Sequence, residues 1–277
     1  MRELAVALVI AGAVACSVGP GAAVVQSSEG KVKDLSNQVA DQVKRTVALG
    51  ENGRVFGSGV FVESNLIVTC AHVVGKRPIG SKMTLWLDTD FDDLKVSKEY
   101  EAIIADVDVA VDIALLRVDS MTIVVPAKIR SPVRGRLGES VFWIGHPEPG
   151  QVAVRAGMIS AIQLLPKIDG AISTDVRGFR LDGTSTPGNS GGGVFDVDGN
   201  LIGIIDSTDM LMAKKMLDDV KANQNGTTAL LGNVNVTGTM IDIMSTLVAS
   251  SRHSYAFAIN ADYVDAARNR FLAKTTH

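Results

Sequence analysis

At 277 residues and 46% hydrophobic content, the chain can bury a substantial core yet is short enough to form one barrel-type domain. A net charge of −3, with no basic cluster interleaved with aromatics, leaves no electrostatic basis for a nucleic-acid partner. The two cysteines are Cys16, near the start, and Cys70, so the fold is expected to hold by packing without an internal disulfide.

Residues 1–21 read as an export segment: Arg2, an apolar run from Leu4 to Ala15, then small residues and Pro20-Gly21. The run is too short and too interrupted for an ordinary membrane span. Three readings stay open: cleavage after Ala13-Val14-Ala15, lipid attachment at Cys16, or an uncleaved anchor, favoured by the acidic Glu3 so close to the start. All three place the remainder outside the cytoplasm, in the periplasm or cell envelope, with membrane attachment through the N-terminus under the last two.

Residues 22–42 divide into a small, polar tether and a short helix, because Val32, Leu35, Val39 and Val43 recur at helical spacing. From residue 43 the pattern changes to short apolar runs broken by turn residues, which predicts an all-β domain over 43–277. The first group of strands is expected at 43–49, 55–62, 66–70, 83–87, 100–107 and 113–118. A second group is expected at 141–144, 152–162, 171–176, 193–195 and 201–205. Residues 207–254 form an insertion whose apolar spacing suggests helices over 210–222 and 240–249, separated by Asn223-Gln224-Asn225-Gly226. A strand at 255–259 and a helix at 261–272 close the chain.

The segment Gly183 to Gly193 carries one small nucleophile, Ser190, on backbone almost free of side-chain obstruction. A serine hydroxyl attacks poorly until a base removes its proton, and His72 in Val68-Thr69-Cys70-Ala71-His72 offers an imidazole for that purpose. Such a base must be held in one tautomer, and Asp112, a carboxylate beside Ile113, Ala114, Leu115 and Leu116, is costly to bury without a partner. The backbone N–H groups of Gly188 and Ser190, with Asn189 between them, are candidate donors for the tetrahedral oxyanion. Chain order His, Asp, Ser is that of the chymotrypsin-like double β-barrel.

At these residues the chain resembles the trypsin-like serine proteases of the HtrA (DegP) type. The matching segments are Gly57-Ser58-Gly59-Val60-Phe61, Thr69-Cys70-Ala71-His72-Val73-Val74, Asp112-Ile113-Ala114-Leu115-Leu116 and Pro187-Gly188-Asn189-Ser190-Gly191-Gly192. Gly145-His146-Pro147-Glu148-Pro149-Gly150, Ala156 to Ser160 and Tyr255 to Ile259 add weaker echoes, and the resemblance covers roughly 43–206 and 255–272. It implies an endopeptidase domain of two β-barrels acting on protein or peptide substrates by a His72, Asp112, Ser190 triad, with no cofactor or metal; against the family pattern, the protease domain is expected here without a PDZ domain. Homo-oligomers are also common in that family. Aligned with it, the substrate pocket would be formed by Thr184 at its base, Ile204, Ile205, and Asp206 near the rim. A neutral hydroxyl at Thr184 cannot pair with a basic side chain, so cleavage after small or medium aliphatic residues is expected. The chain departs from the family at Gly193, where proline is usual, and at Thr184-Ser185-Thr186, usually more apolar.

Several other patterns carry weaker signals. Asp196-Val197-Asp198-Gly199-Asn200 resembles part of a calcium loop but lacks the remaining acidic ligands, and Asp-Gly between apolar runs is a hairpin signal. His146, His253 and His277 lack zinc spacing. Cys70 reads as a small buried residue beside the site rather than a catalytic thiol. Two alternatives remain: a protease homologue with an unassembled site acting as a binding or chaperone module, and a G-x-S-x-G esterase using Ser190, Asp206 or Asp209, and His253.

Overall fold

The computed structural model describes residues 29–88, 97–119, 124–148, 151–165, 176–186, 188–206, 230–231, 234–236, 238–239, 241–242 and 255–275. After helix α1 (Glu29–Val43), the first half contains β1 (Thr46–Glu51), β2 (Arg54–Glu63), β3 (Leu66–Cys70), the single turn α2 (Ala71–Val74), β4 (Lys82–Asp88), β5 (Ser97–Asp108) and β6 (Ile113–Arg117). These strands close a barrel in the order β1-β2-β3-β6-β5-β4, with β1 paired to β4.

The second half contains β7 (Ser140–Glu148), β8 (Gln151–Leu164), β9 (Arg177–Asp182), β10 (Gly193–Asp196), β11 (Leu201–Asp206), the short pair β12 (Leu230–Leu231) and β13 (Val234–Asn235), β14 (Tyr255–Asn260) and helix α3 (Ala261–Thr275). Its barrel order is β10-β11-β14-β9-β8-β7. Every ladder within the two barrels is antiparallel, which is the double β-barrel expected from the sequence and removes the parallel sheet an esterase elbow requires.

Local chemistry explains the tight turns. Asn52 and Gly53 both adopt positive φ, 52° and 75°, the twist-matched geometry of a two-residue hairpin, and they join β1 to β2 at the Glu51–Arg54 pair. The calcium-loop likeness resolves into a second hairpin: Asp196 Oδ1 accepts the N–H groups of Asp198 at 3.1 Å and Asn200 at 2.8 Å, while Gly199 takes φ 78°. The other oxygen of Asp196 faces Arg130 at 3.0 Å, so that carboxylate is already fully engaged.

One strand was not expected. The third strand of the second barrel is β9, at Arg177–Asp182, and the strand expected at 171–176 lies, apart from Val176, outside the described residues. The alternation of β9 was readable, since Phe179 and Leu181 are buried while Arg177 and Asp182 are exposed. The insertion helix expected at 210–222 lies outside the described residues, as does that at 240–249 apart from 241–242. The β12–β13 pair was not anticipated.

Each barrel has an apolar core, with Leu49, Phe61, Ile67, Leu85, Ile104 and Leu115 wholly buried in the first and Trp143, Phe179, Leu181 and Ile202 in the second. Phe142 and Phe195 stack with ring centroids 5.4 Å apart. Helix α3 buries Ala261, Val264 and Ala267, and its Arg270 pairs with Asp108 of β5 at 2.9 Å, tying the chain end back to the first barrel. Among the described residues no helix is long and apolar enough to cross a membrane.

Candidate active site

The base of the site is made where β3 ends. Cys70 is extended, and the chain then turns through α2, placing Ala71, Val73 and Val74 in the core and leaving the His72 ring partly exposed at 18% of its side chain. Asp112 sits in the turn between β5 and β6 at φ 55°, an uncommon conformation for a residue with a Cβ. Its carbonyl accepts Ala71 N–H at 3.1 Å, Oδ1 accepts His72 N–H at 2.8 Å, and Oδ2 meets the ring Nδ1 at 2.7 Å. An ionised carboxylate only accepts, so Nδ1 carries the proton and Nε2 is left with its lone pair.

The electrostatics follow from this geometry. Burial is the largest effect on His72 and opposes its charged form, but the hydrogen bond it donates to Asp112, then the charges of Asp112 and Asp206, outweigh it and leave the imidazole pKa above its ordinary 6.5. For Cys70, burial, then the negative charges of Asp112 and Asp206, hold the thiol pKa well above its usual range. Its S–H donates to the Ile205 carbonyl at 3.3 Å. The neutral, wholly buried thiol agrees with a packing role.

Cys70, His72 and Asp112 each present a ligand-type atom, all within 4.8 Å of one another. Two of those atoms already form the Nδ1 to Oδ2 hydrogen bond and the thiol is neutral, so the group reads as a hydrogen-bonded pair beside an S–H. His146, the other histidine in the described residues, is fully buried with Nε2 2.9 Å from Thr46 Oγ1.

Ser190 is 95% buried, on a loop pinned to both barrels. Its carbonyl accepts Ser58 N–H of β2 at 2.7 Å, and Gly191 N–H donates to Ile205 of β11 at 2.8 Å. A Cβ on Gly57 would lie 2.7 Å from that carbonyl and 2.5 Å from Val73, while one on Gly191 would lie 2.3 Å from Thr69 Oγ1 and 3.2 Å from Cys70 N. Only glycine backbone allows the Ser190 loop to close so tightly onto the strand and turn that carry His72.

Gly188 has φ 91°, and a Cβ there would strike Pro147 Cα at 2.6 Å. Among the described residues its N–H has no carbonyl partner. Asn189 differs from the expected donor set: its N–H goes to the Thr186 carbonyl at 3.1 Å and its Nδ2 to Thr186 Oγ1 at 3.0 Å, so it serves as the spacer that shapes the loop.

The expected pocket residues separate. Thr184 is half-buried just after β9, next to Gly183, whose Cβ position is filled by the Trp143 ring. Ile204 and Ile205 are fully buried, so their side chains belong to the core of the second barrel, and Ile205 serves the site through its backbone. Asp206 was expected near the rim but is 1% exposed, its charge acting on His72 and Cys70 from below. Ser58, Thr69 and Thr46 were missed by the sequence reading; their signal was a buried polar residue, 0% exposed, in an otherwise apolar strand.

Two antiparallel six-stranded barrels, a hydrogen-bonded histidine–aspartate pair and a glycine-lined serine loop tied to both barrels define the class of trypsin-like peptidases. Residues 57–204 match the family model of the trypsin-like peptidase domain, more than half of the chain, and the chain belongs to that family.

Its similarity is to serine proteases of the HtrA type. It is 32% identical over 149 residues to serine protease HTRA4 of Homo sapiens, 36% over 154 residues to serine protease HTRA1B of Danio rerio, and 34% over 149 residues to mitochondrial serine protease HTRA2 of Drosophila pseudoobscura pseudoobscura. Each match covers 53% of this chain but only 29%, 29% and 33% of those proteins, so the chain spans about a third of their length.

Proposed function

We propose that the protein is a serine endopeptidase that hydrolyses protein substrates through an acyl-enzyme intermediate. The observation that carries the reading is the two-point attachment of Asp112 to His72, which leaves Nε2 as the ring nitrogen available to take a proton. Ser190 Oγ attacks the scissile carbonyl as His72 Nε2 takes its proton, and the N–H groups of Gly188 and Ser190 receive the developing oxyanion. Asp112 stabilises the imidazolium, which returns the proton to the leaving amine. Water then attacks the acyl carbon, giving its proton to His72, and collapse releases the acid and regenerates the Ser190 hydroxyl.

The neutral side chain of Thr184 supports cleavage after small or medium aliphatic residues. The segment 1–21 supports export to the periplasm or cell envelope, with Cys16 as the lipid attachment point or the segment as an anchor. Assembly into homo-oligomers is proposed on family resemblance alone.

A fluorophosphonate probe followed by intact-mass analysis tests the reading. Labelling of the wild type at Ser190, lost in Ser190→Ala, supports it. Absence of labelling across conditions, including the presence of peptide substrates, leaves a binding module with a protease fold. The same mass reports leader removal and lipid at Cys16.

A further inference from the structure

We propose that Ser58 is a positioning residue of the oxyanion loop, its hydroxyl clamping the peptide between the two donor amides so that both face the reacting carbonyl. This rests on the serine protease reading above.

Ser58 lies in β2 of the first barrel and is fully buried. Its Oγ–H donates to the Gly188 carbonyl at 2.6 Å, and the same oxygen accepts His146 N–H from β7 at 2.7 Å. Its N–H donates to the Ser190 carbonyl at 2.7 Å, and its own carbonyl accepts Thr69 Oγ1–H at 2.6 Å. One residue therefore holds two carbonyls of a loop belonging to the other barrel, and is itself held by β3 and β7.

Each peptide of the loop can then be followed. The Gly188–Asn189 peptide is fixed at its carbonyl by Ser58 Oγ and at its N–H by the Thr186 carbonyl. The Asn189–Ser190 peptide has its carbonyl bound by Gly192 N–H at 2.9 Å, and the Ser190–Gly191 peptide is tied by Ser58 N–H and the Ile205 carbonyl. Of these tethers only the Ser58 hydroxyl is a side-chain group that a substitution can remove. It acts on the residue with the most rotational freedom, because Gly188 crosses between backbone wells that other residues reach only with strain.

Without the hydroxyl, a buried carbonyl loses its donor and His146 N–H loses its acceptor, so rotation of the Gly188–Asn189 peptide toward another partner is favoured. The Gly188 N–H lies on the preceding peptide, so the change reaches it through the Gly188 torsions, which lose their tether and let that amide swing off the oxyanion while the His72–Asp112 pair stays untouched. Loss of an oxyanion donor slows catalysis by roughly 100-fold or more, and partial population of a rotated loop by less. The hydroxyl also explains why a polar side chain sits in a buried strand flanked by Gly57 and Gly59.

The test uses the full chain in wild type, Ser58→Ala and Ser58→Cys, the last keeping a weaker S–H donor. Peptide hydrolysis, inhibition by a peptide boronate that engages the oxyanion donors, and near-UV circular dichroism are measured together. The expected result for Ser58→Ala is a kcat lower by about 10-fold to 100-fold with KM changed by less than about 3-fold. Boronate affinity should fall by the same factor as kcat/KM, and the pH at the acid midpoint of kcat/KM should stay fixed.

Should the alanine variant lose its near-UV signal, the same parallel loss is read on Ser58→Cys. Unchanged kcat and boronate affinity in a folded variant overturn the clamp while leaving the protease reading intact, as does a rise in KM alone. A wild type that no fluorophosphonate labels at Ser190 overturns both.

Discussion

Asp112 holds His72 at two points, the ring Nδ1 at 2.7 Å from Oδ2 and the backbone N–H at 2.8 Å from Oδ1, so ring and main chain are oriented by one carboxylate. Because Asp112 also receives Ala71 N–H on its carbonyl, the α2 turn and the β5–β6 turn behave as one unit. The left-handed backbone of Asp112 is retained because three hydrogen bonds over-determine it.

Asp112→Asn keeps the shape of the carboxylate but can donate, and so permits the wrong imidazole tautomer. Peptide hydrolysis should fall by about four orders of magnitude in kcat with little change in fold. Steady-state kinetics beside a far-UV spectrum checks this, and a loss of less than about 10-fold would remove Asp112 from the role of orienting group.

The raised pKa of His72 fixes the direction of two pH effects. Catalysis needs the neutral ring, so kcat/KM should rise with pH through a midpoint above the ordinary 6.5. Removing a smaller contributor, as in Asp206→Asn, should move that midpoint down. For stability the sign is opposite: a folded pKa above the unfolded one contributes fully below about 6.5 and is lost as pH rises through the folded value. A kcat/KM profile and denaturant midpoints across this window would show both, and an activity midpoint below 6.5 contradicts the assignment.

Cys70 is wholly buried with its thiol pKa raised, first by burial and then by Asp112 and Asp206. Iodoacetamide at mildly alkaline pH should therefore leave Cys70 unmodified in the native protein and alkylate it at the rate of unfolding. Peptide mass mapping reads this directly. Rapid native alkylation with loss of activity would make Cys70 a reactive thiol instead.

Arg130 joins Glu139 at 2.6 Å to Asp196 at 3.0 Å, both carboxylates being largely buried, and so braces the β10–β11 hairpin behind the serine loop. Arg130→Met should destabilise by about 1–3 kcal/mol, less than a fully buried pair because the guanidinium is partly exposed. Burial raises the Glu139 pKa, but Arg130 and the Arg136 amide outweigh it and leave it below 4.5. Its contribution is thus present above about 4.5 and lost as pH falls through the folded value, so wild type and variant should converge in acid. Urea unfolding across that range measures the gap, which a constant difference would contradict.

Much of this was legible from residue order. Strand positions followed from short apolar runs bounded by turn residues, as in β3 and β6, which are buried along nearly their whole length, and the His72, Asp112, Ser190 order selected the antiparallel double barrel over a parallel sheet. The β9 strand was not anticipated because Arg177, Arg180 and Asp182 interrupt its buried Phe179 and Leu181. Ile204, Ile205 and Asp206 were placed beside the site, but chain position could not say that all three are buried, since successive side chains face opposite sides of β11 and both sides are covered only once the barrels pack.

The sequence by itself determined the chemistry: which groups are present, their order, and the glycines that let a serine loop close. Only the tertiary structure decided which polar atoms meet across the barrels, because the Ser58 to Gly188 bond spans 130 residues and the Thr46 to His146 bond spans 100. Such contacts have no local periodicity to announce them; they arise when two independently patterned barrels pack and each buried donor must find an acceptor.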